Sequence, residues 1–446
     1  MIAIGLGSNL GNRARNLRRA IRLLSCGTNP ILKSLQISPI YESNALLPEN
    51  APSTWDRPYL NCVITGETHL DPASLLKTLQ TIETKMGRNQ GSERWAPRII
   101  DLDILAYDTL TFETPKFKIP HPELFKRDFV YLPFCDLEPN WSIPFPYLSH
   151  GKTLKDFVAS NPSSLQSTSN YDLEIYYPSI MGILNVTPDS FSDGGLYLDS
   201  NKALDHAKRL VESGASVIDV GAESTRPGAD SITADQEWKR LEKILFAIRS
   251  EFKDIELSVD TRHPDTAKKA IDLGVDWIND VSGLEQPKML ETLQDFSGKV
   301  VFMHQLGLPA DPKCTLPENE DTVGAVLSWA ESKIEKLTTE FGFSESQLVF
   351  DPGIGFGKTA HQSLEILRNL DRFAKLGVEI LIGHSRKSFL GAFTNNSPVE
   401  RDALSAYCST LFPNFSVDLI RLHDVSLQRE LFSLHRHFHH AISKRY

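Results

Sequence analysis

Apolar and polar positions follow two different rhythms along this chain, and the rhythm changes near residue 170. From residue 178 onward, apolar runs of strand length alternate eight times with longer polar or amphipathic stretches. The runs are 180–185, 216–221, 256–260, 276–281, 300–304, 348–351, 380–383 and 419–423. Apolar residues at helical spacing mark 203–211, 237–248, 265–273, 323–341, 364–376 and 401–411 between them. Eight strand–helix units predict an α/β (β/α)8 TIM barrel, a fold of about 250 residues. A doubly wound open sheet is the alternative that the pattern leaves.

Before residue 170 the order is different. Residues 1–6 read as a strand, 7–11 as a turn, and 16–24 as a helix with Leu17, Ala20, Ile21 and Leu24 on one face. Strands follow at 35–40 and 60–70, then Asp71-Pro72 opens a helix as N-cap and first residue, running to about Met86. Residues 98–105 form a further strand. The order β-α-β-β-α-β predicts an α+β ferredoxin-like sandwich built on a split βαβ unit. The stretch 42–58 is a long Pro- and Asn-containing loop, a length associated with function. A Ser/Asn-rich run at 159–170 breaks all periodicity and reads as a connector. The expected division is a domain over 1–160, a linker over 161–176 and the barrel over 177–446.

Composition narrows the chemistry. With 446 residues, 41% hydrophobic and 23% charged, the chain is a globular protein of two or three domains. A formal net charge of −10 argues against a nucleic-acid surface. The five cysteines are scattered with no CxxC pair, which fits reduced thiols and excludes a zinc frame of that type. With no signal-like start and no run of about 20 apolar residues, the expectation is a cytoplasmic protein with no membrane partner.

Two constellations in the first half carry chemistry. Asp101 and Asp103 are two apart on a strand, so both carboxylates share a face while Ile100, Leu102 and Ile104 take the other. Paired carboxylates with substrate phosphates are how Mg2+ is usually held. Arg88, Arg94 and Arg98, with Trp95 among them, supply guanidinium groups that match phosphate oxygens. The early glycines at 5 and 7 satisfy neither the dinucleotide nor the P-loop pattern.

In the barrel half, strand ends are where ligands bind. They carry Asn185, Glu223 to Pro227, Asp260, Asn279 and Asp280, His304, Asp351, Ser385 to Lys387, and Arg421 to His423. Acidic groups suit the N–H edge of a heterocycle, and the cations late in the chain suit an anion. The run Asp351 to Thr359 has Pro352 where a P-loop needs Gly, so its glycines serve close backbone approach instead. His206, His263 and His361 read as surface or capping residues, and no His–carboxylate set has metal-ligand spacing.

The strings GSNL at 7–10, YLN at 59–61, RWAPR at 94–98, DLDI at 101–104, IPH at 119–121 and RDF at 127–129 resemble the 6-hydroxymethyl-7,8-dihydropterin pyrophosphokinase family. The resemblance covers about residues 1–150 and implies Mg-dependent pyrophosphate transfer from ATP to the pterin hydroxymethyl group. It implies Mg2+ on Asp101 and Asp103, and phosphate or ATP contacts from Gln80, Glu83, Arg88, Arg94, Arg98, His121 and Arg127. Arg94, Arg98 and Asp103 are the implied catalytic residues. Tyr59, Asn61 and Phe129 are implied to hold the pterin. Ala96 stands where the family usually has Gly, and Arg57 where it often has Gln.

The second half resembles dihydropteroate synthase throughout. The matching strings are NVTPDSFSDGG at 185–195, ESTRPG at 223–228, SVDT at 258–261, NDVS at 279–282, DPGIGFGK at 351–358, SRKSF at 385–389 and RLHDV at 421–425. The implied reaction joins p-aminobenzoate to the pterin and releases pyrophosphate. By resemblance Asn185 contacts Mg2+ and pyrophosphate, with Arg226, Arg421 and His423 on the anion. Asp260, Asn279, Asp351 and Lys387 hold the pterin, while Thr225, Pro227, Phe356, Lys387 and Ser388 border p-aminobenzoate. Arg226 and Lys387 are the implied catalytic residues. A homodimer through the barrel helices is a further implication. Alternatives are a chain with one active half and one structural or regulatory half, and a pterin-dependent methyltransferase barrel.

Overall fold

Ile2, Ile4 and Leu6 alternate with Ala3, Gly5 and Gly7, and this period of two makes Ile2–Ser8 a strand, β1. The computed structural model describes residues 1–26, 29–88, 95–115, 117–142, 144, 151–168, 177–186, 196–223, 231–311, 313–412 and 416–443, the side chains of 196–200 and 439–443 aside. The chain divides into two compact units, Met1–Tyr177 and Pro178–Tyr446.

The first unit contains β2 (Lys33–Ile37), β3 (Ile40–Ser43), β4 (Tyr59–Glu67), β5 (Asp101–Tyr107), the short pair β6 (Phe112–Glu113) and β7 (Lys118–Ile119), and β8 (Ser167–Thr168). Its main sheet runs β5-β1-β4-β3-β8, with β2 also on β4 and every pair antiparallel. With β2 and β3 counted as one strand, this is the ferredoxin-like order. The expected strand at 35–40 divides because Pro39 lacks a ladder N–H. Beside it, Ser38 Oγ accepts from Val63 N at 2.9 Å. The expected turn at 7–11 starts later, since Gly7 and Ser8 still pair with Asn61 and Leu60. Ser167 and Thr168, within the Ser/Asn-rich run, pair with Tyr41 and Ile40.

Helix Arg13–Ser25 buries Leu17, Ala20, Ile21 and Leu24 completely. Helix Pro72–Lys85 is capped by Asp71, whose side chain accepts from Ala73 N and Ser74 N. Two helices not anticipated, Asp128–Leu137 and Leu154–Ser160, pack Tyr131, Phe134, Leu154 and Phe157 against Ala3, Val63 and Leu105. That apolar cluster fills one end of a sheet face. Toward the other end of that face Gly5 and Gly7 stand opposite Asp103 and Asp101, and the missing side chains leave space above the sheet.

In the second unit β9 (Ser179–Asn185), β10 (Val217–Gly221), β11 (Glu256–Asp260), β12 (Trp277–Asp280), β13 (Lys299–Met303), β14 (Leu348–Asp351), β15 (Glu379–Ile382) and β16 (Leu419–Leu422) form a closed parallel barrel. β16 pairs with β9, which rules out the open sheet. Met181, Val217, Trp277, Val301, Val349, Leu381 and Leu419 make one buried interior layer. Because side chains alternate, the residues two positions later point into the same interior, one step nearer the C-terminal mouth. Those positions are Ile183, Asp219, Asn279, Met303, Asp351, Gly383 and Arg421, with Asp260 level with Asn279. The helix expected over 364–376 is instead Ala360–Arg368 followed by a 3-10 stretch, Leu370–Leu376. No helix among the described residues is long and apolar enough to cross a membrane.

Candidate active sites

In the first unit a cavity of about 860 Å3 opens over the glycine side of β1. Asp101, Asp103, Arg88, Arg98, His121 and Arg127 line it, as do Gln80, Glu83, Tyr59, Asn61 and Phe129. Arg94 lies outside the described residues. The geometry is set by a few anchors. Asn9 accepts from Arg98 N at 2.7 Å through Oδ1, and its own N–H donates to Arg98 O at 3.1 Å, so the residue that follows β1 fixes Arg98 through both its N–H and its carbonyl. Arg98 Nη1 then reaches Asp101 at 2.8 Å, and Arg88 reaches the same carboxylate at 3.0 Å. Glu83 is buried; it accepts from Leu102 N at 2.8 Å and from Arg88, bracing the peptide between the two aspartates. Burial pushes Glu83 up to about 7, against the pull of Arg88.

Asp103 is raised above the usual carboxylate range, first by loss of water in the cavity and then by the neighbouring charge of Asp101. His121 Nε2 stands 4.0 Å away. Asn61 donates to Ser43 Oγ at 3.0 Å and to Tyr41 O at 3.3 Å. A side chain at position 7 would come 3.3 Å from Asn61 Oδ1 and 3.5 Å from the Tyr59 ring, so glycine preserves the approach to both.

At the barrel mouth the interior polar layer is tied into one network. Asp219, which sequence reading passed over, is fully buried. It accepts from Arg421 Nε at 2.6 Å, Ser258 Oγ at 2.5 Å and Asn279 Nδ2 at 3.2 Å. Arg421 Nη2 also donates to Asp260 at 2.8 Å. Burial raises the Asp260 carboxyl, with Arg421 opposing. Asp351, at the end of β14, is also raised by burial, with Lys387 and Lys358 pulling the other way. The Lys387 ammonium sits 3.9 Å from the centroid of the Phe356 ring, a cation–π contact. Ser385 Oγ meets His423 Nδ1 at 3.0 Å. Asn185 ends β9, half-buried beside Gly221, whose missing side chain would lie 3.6 Å from Asn185 Oδ1. Ser388 is exposed at the start of the 3-10 stretch Ser388–Ala392.

Lys358 is buried and makes contacts of 2.9 Å with His304 Nδ1 and Phe356 O. Burial pushes it down to about 7. It knots the 351–358 loop to β13. Arg386 was grouped with the anion-binding cations, yet its guanidinium pairs with Asp402.

Thr225, Arg226 and Pro227 lie outside the described residues. Glu223 just before them accepts from Arg262 Nε and Nη2, each at 2.8 Å, and from Ile232 N at 3.1 Å. His263 stands at the N-cap of helix Pro264–Leu273, but its side chain makes no cap hydrogen bond and its ring lies 3.6 Å from Glu223 instead. Glu223, Glu237 and His263 present ligand atoms within 4.8 Å of one another, a grouping that sequence spacing had not suggested. Arg262 occupies both Glu223 oxygens and balances that charge, while the neutral Thr261 hydroxyl donates to Glu237 at 2.6 Å.

The comparisons with known proteins match this division. The model for 7,8-dihydro-6-hydroxymethylpterin-pyrophosphokinase matches residues 3–139, and the model for pterin binding enzyme matches 181–423. The folate synthesis bifunctional protein of Chlamydia muridarum is 38% identical over 96% of both chains. The chain belongs to the bifunctional folate-synthesis family. A mitochondrial member from Arabidopsis thaliana is 33% identical over 95% of this chain and 80% of its own. Among solved structures, dihydropteroate synthase of Xanthomonas albilineans with 4-aminobenzoic acid is 34% identical, with a TM-score of 0.54. It covers 59% of this chain and 93% of its own. The Anaplasma phagocytophilum enzyme with 6-hydroxymethylpterin-monophosphate is 36% identical at a TM-score of 0.53, covering 58% of this chain and 99% of its own.

As a bifunctional folate-synthesis enzyme, the chain carries two consecutive activities. Its first half is a hydroxymethyldihydropterin pyrophosphokinase that takes ATP as substrate, and its second half is a dihydropteroate synthase. That disposes of the methyltransferase alternative and of a chain with only one catalytic half.

Proposed function

We propose that the residues gathered in the two sites divide the work as follows. In the first unit the pterin hydroxyl oxygen attacks the β-phosphorus of ATP and loses its proton, the bond from that phosphorus to the α,β-bridging oxygen breaks, and AMP leaves with that oxygen. Tyr59, Asn61 and Phe129 hold the pterin, Asn61 by its amide and the aromatics by their faces. Arg98, Arg88, Arg94, His121 and Arg127 neutralise the phosphates, with Gln80 on the nucleotide side. Glu83 holds the Asp101–Asp103 peptide and Arg88 in place. The two aspartates fit a divalent cation: their carboxylates share one strand face, and loss of water, then the charge of Asp101, raises Asp103. Mg2+ held there supplies charge neutralisation on the phosphate oxygens.

In the barrel the C–O bond to pyrophosphate breaks and a C–N bond to p-aminobenzoate forms, the amine losing one proton. Asp260, Asn279 and Asp351 receive the N–H edge of the pterin, with Lys387 beside them. Arg421, His423, Arg226 and Asn185 steady the leaving pyrophosphate, and Asn185 would help to hold Mg2+, which would offset the charge of that anion. Phe356, Lys387, Ser388, Thr225 and Pro227 border p-aminobenzoate, and Lys387 holds the Phe356 ring by its charge.

The observation that carries this reading is the gathering of distant polar residues at one cavity and one barrel mouth. The test is a mass-spectrometric assay of Asp103→Asn and Lys387→Met in the full chain. D103N should abolish AMP formation while supplied pterin pyrophosphate still yields dihydropteroate, and K387M should do the reverse. Loss of both products in either variant would refute the assignment.

We further propose a first domain over 1–160, a connector over 161–176 that lends Ser167 and Thr168 to the first unit's sheet, and a barrel domain over 177–446. A cytoplasmic setting is supported by five free thiols. A homodimer through the barrel helices is supported by exposed Tyr407, Leu411, Leu434 and Phe438. Light scattering of the purified chain checks the dimer, and a mass of one chain rejects it.

A further inference from the structure

Ser385, Arg386 and Lys387 are consecutive, yet their side chains go to three places. Ser385 meets His423, Lys387 covers Phe356, and Arg386 turns away to Asp402. The three residues lie in a four-residue turn closed by Lys387 N donating to His384 O at 3.3 Å. Arg386 is the third residue of that turn and has φ 60°. Turns with positive φ at this position take glycine or asparagine, because a Cβ crowds the backbone there.

An arginine in that conformation needs an outside hold, and helix Asp402–Thr410 supplies it. Arg386 Nε and Nη2 donate to the two oxygens of Asp402, each at 2.7 Å. The Arg386 backbone N–H donates to Ser405 Oγ at 2.9 Å, one turn along the same helix. Arg401, which precedes the helix, donates to Lys387 O at 3.4 Å. Asp402 opens the helix, where a carboxylate is favoured by the helix dipole. The guanidinium–carboxylate fork is planar and bidentate, so it fixes direction as well as distance.

We infer that Asp402 is a positioning residue for dihydropteroate synthesis: by gripping Arg386 it keeps the 384–387 turn in the left-handed form that aims Lys387 at Phe356 and Ser385 at His423. The inference rests on the reading that Lys387 and Ser388 border p-aminobenzoate. Asp402 acts through Arg386, whose guanidinium takes both of its oxygens. Lysine at 386 would not replace the arginine, because an ammonium has no fork.

The experiment is steady-state kinetics of the second reaction in the full chain, with the pyrophosphokinase activity of each variant as the folding control. Asp402→Asn and Arg386→Ala should each lower kcat/KM for p-aminobenzoate about tenfold, chiefly through KM, roughly the loss of one charged hydrogen bond. Arg386→Gly should stay within about threefold of the parent, because glycine adopts the turn unaided. In the R386G background D402N should add nothing. Equal damage from R386G and R386A would overturn the inference, showing that the guanidinium itself serves the reaction. So would an unaffected D402N beside an impaired K387M. An unaffected K387M would overturn the site reading, and this inference with it.

Discussion

Replacing Asp219 tests whether the barrel mouth is one connected network. The carboxylate is fully buried and receives three donors, one of them the Arg421 guanidinium. In Asp219→Asn the amide oxygen still accepts from Arg421 and Asn279. The amide N–H faces Ser258 Oγ, whose hydroxyl rotates to accept it. Only the charge is lost, so the cost is the difference between a charged and a neutral hydrogen bond, about 1–2 kcal/mol. Asp219→Ala is different in kind. It orphans three buried donors and leaves Arg421 with Asp260 alone, and breaking a buried pair costs about 3–5 kcal/mol.

The two substitutions should therefore differ by about 2–3 kcal/mol, alanine being the worse. The assay is urea unfolding of the full chain, read by hydrogen exchange at the β10 and β16 amides so that the barrel is followed by itself. Alanine should also depress the dihydropteroate synthase rate, because Arg421 loses one of two anchors, while pyrophosphokinase activity holds. Equal losses in the two variants, or a loss below about 1 kcal/mol in D219A, would refute the network.

Glu83→Gln tests the buried brace in the first unit through pH. Glu83 is raised from 4.5 to about 7, so the native state keeps a proton that the unfolded chain releases. The resulting stability is complete below pH 4.5 and is lost as pH rises through 7. The parent should therefore lose about 3 kcal/mol relative to E83Q across that window; a difference that does not change with pH would refute it. Gly353→Ala should unseat the 351–358 loop, because φ is +68° and the added Cβ would lie 1.9 Å from His304 O. A loss above about 3 kcal/mol in barrel stability is expected, from strain plus overlap. A variant that melts like the parent would show that the backbone gives way cheaply.

What the sequence made legible and what it hid follow from the range of the interactions. The eight barrel strands were readable because each is a local apolar run ending in a polar residue, and closure needed only the last strand to meet the first. Asp101 and Asp103 were readable for the same reason, since strand alternation is a property of neighbours. Asp219 was not: it lies in the apolar run 216–221 and looks like an interruption. Its partners lie 39, 60 and 202 residues away, and no local pattern encodes those distances. The helices Asp128–Leu137 and Leu154–Ser160 escaped because each is short, and their apolar residues gain a face only against Ala3, Val63 and Leu105. Arg386 stands between these cases. Its neighbours Ser385 and Lys387 follow β15 at its C-terminal end, a position that the chain itself shows. The sign of its φ and the reach of Asp402 are tertiary facts, and they turn an apparent anion ligand into a backbone support. Charge type could thus be read from the chain, but the partner of each charge could not. In both sites the partner is often another protein group: Arg88 and Arg98 share Asp101, and Arg421 bridges Asp219 and Asp260. Such pairing holds the guanidinium planes in fixed directions, and fixed direction is what recognition of phosphate and pterin edges demands.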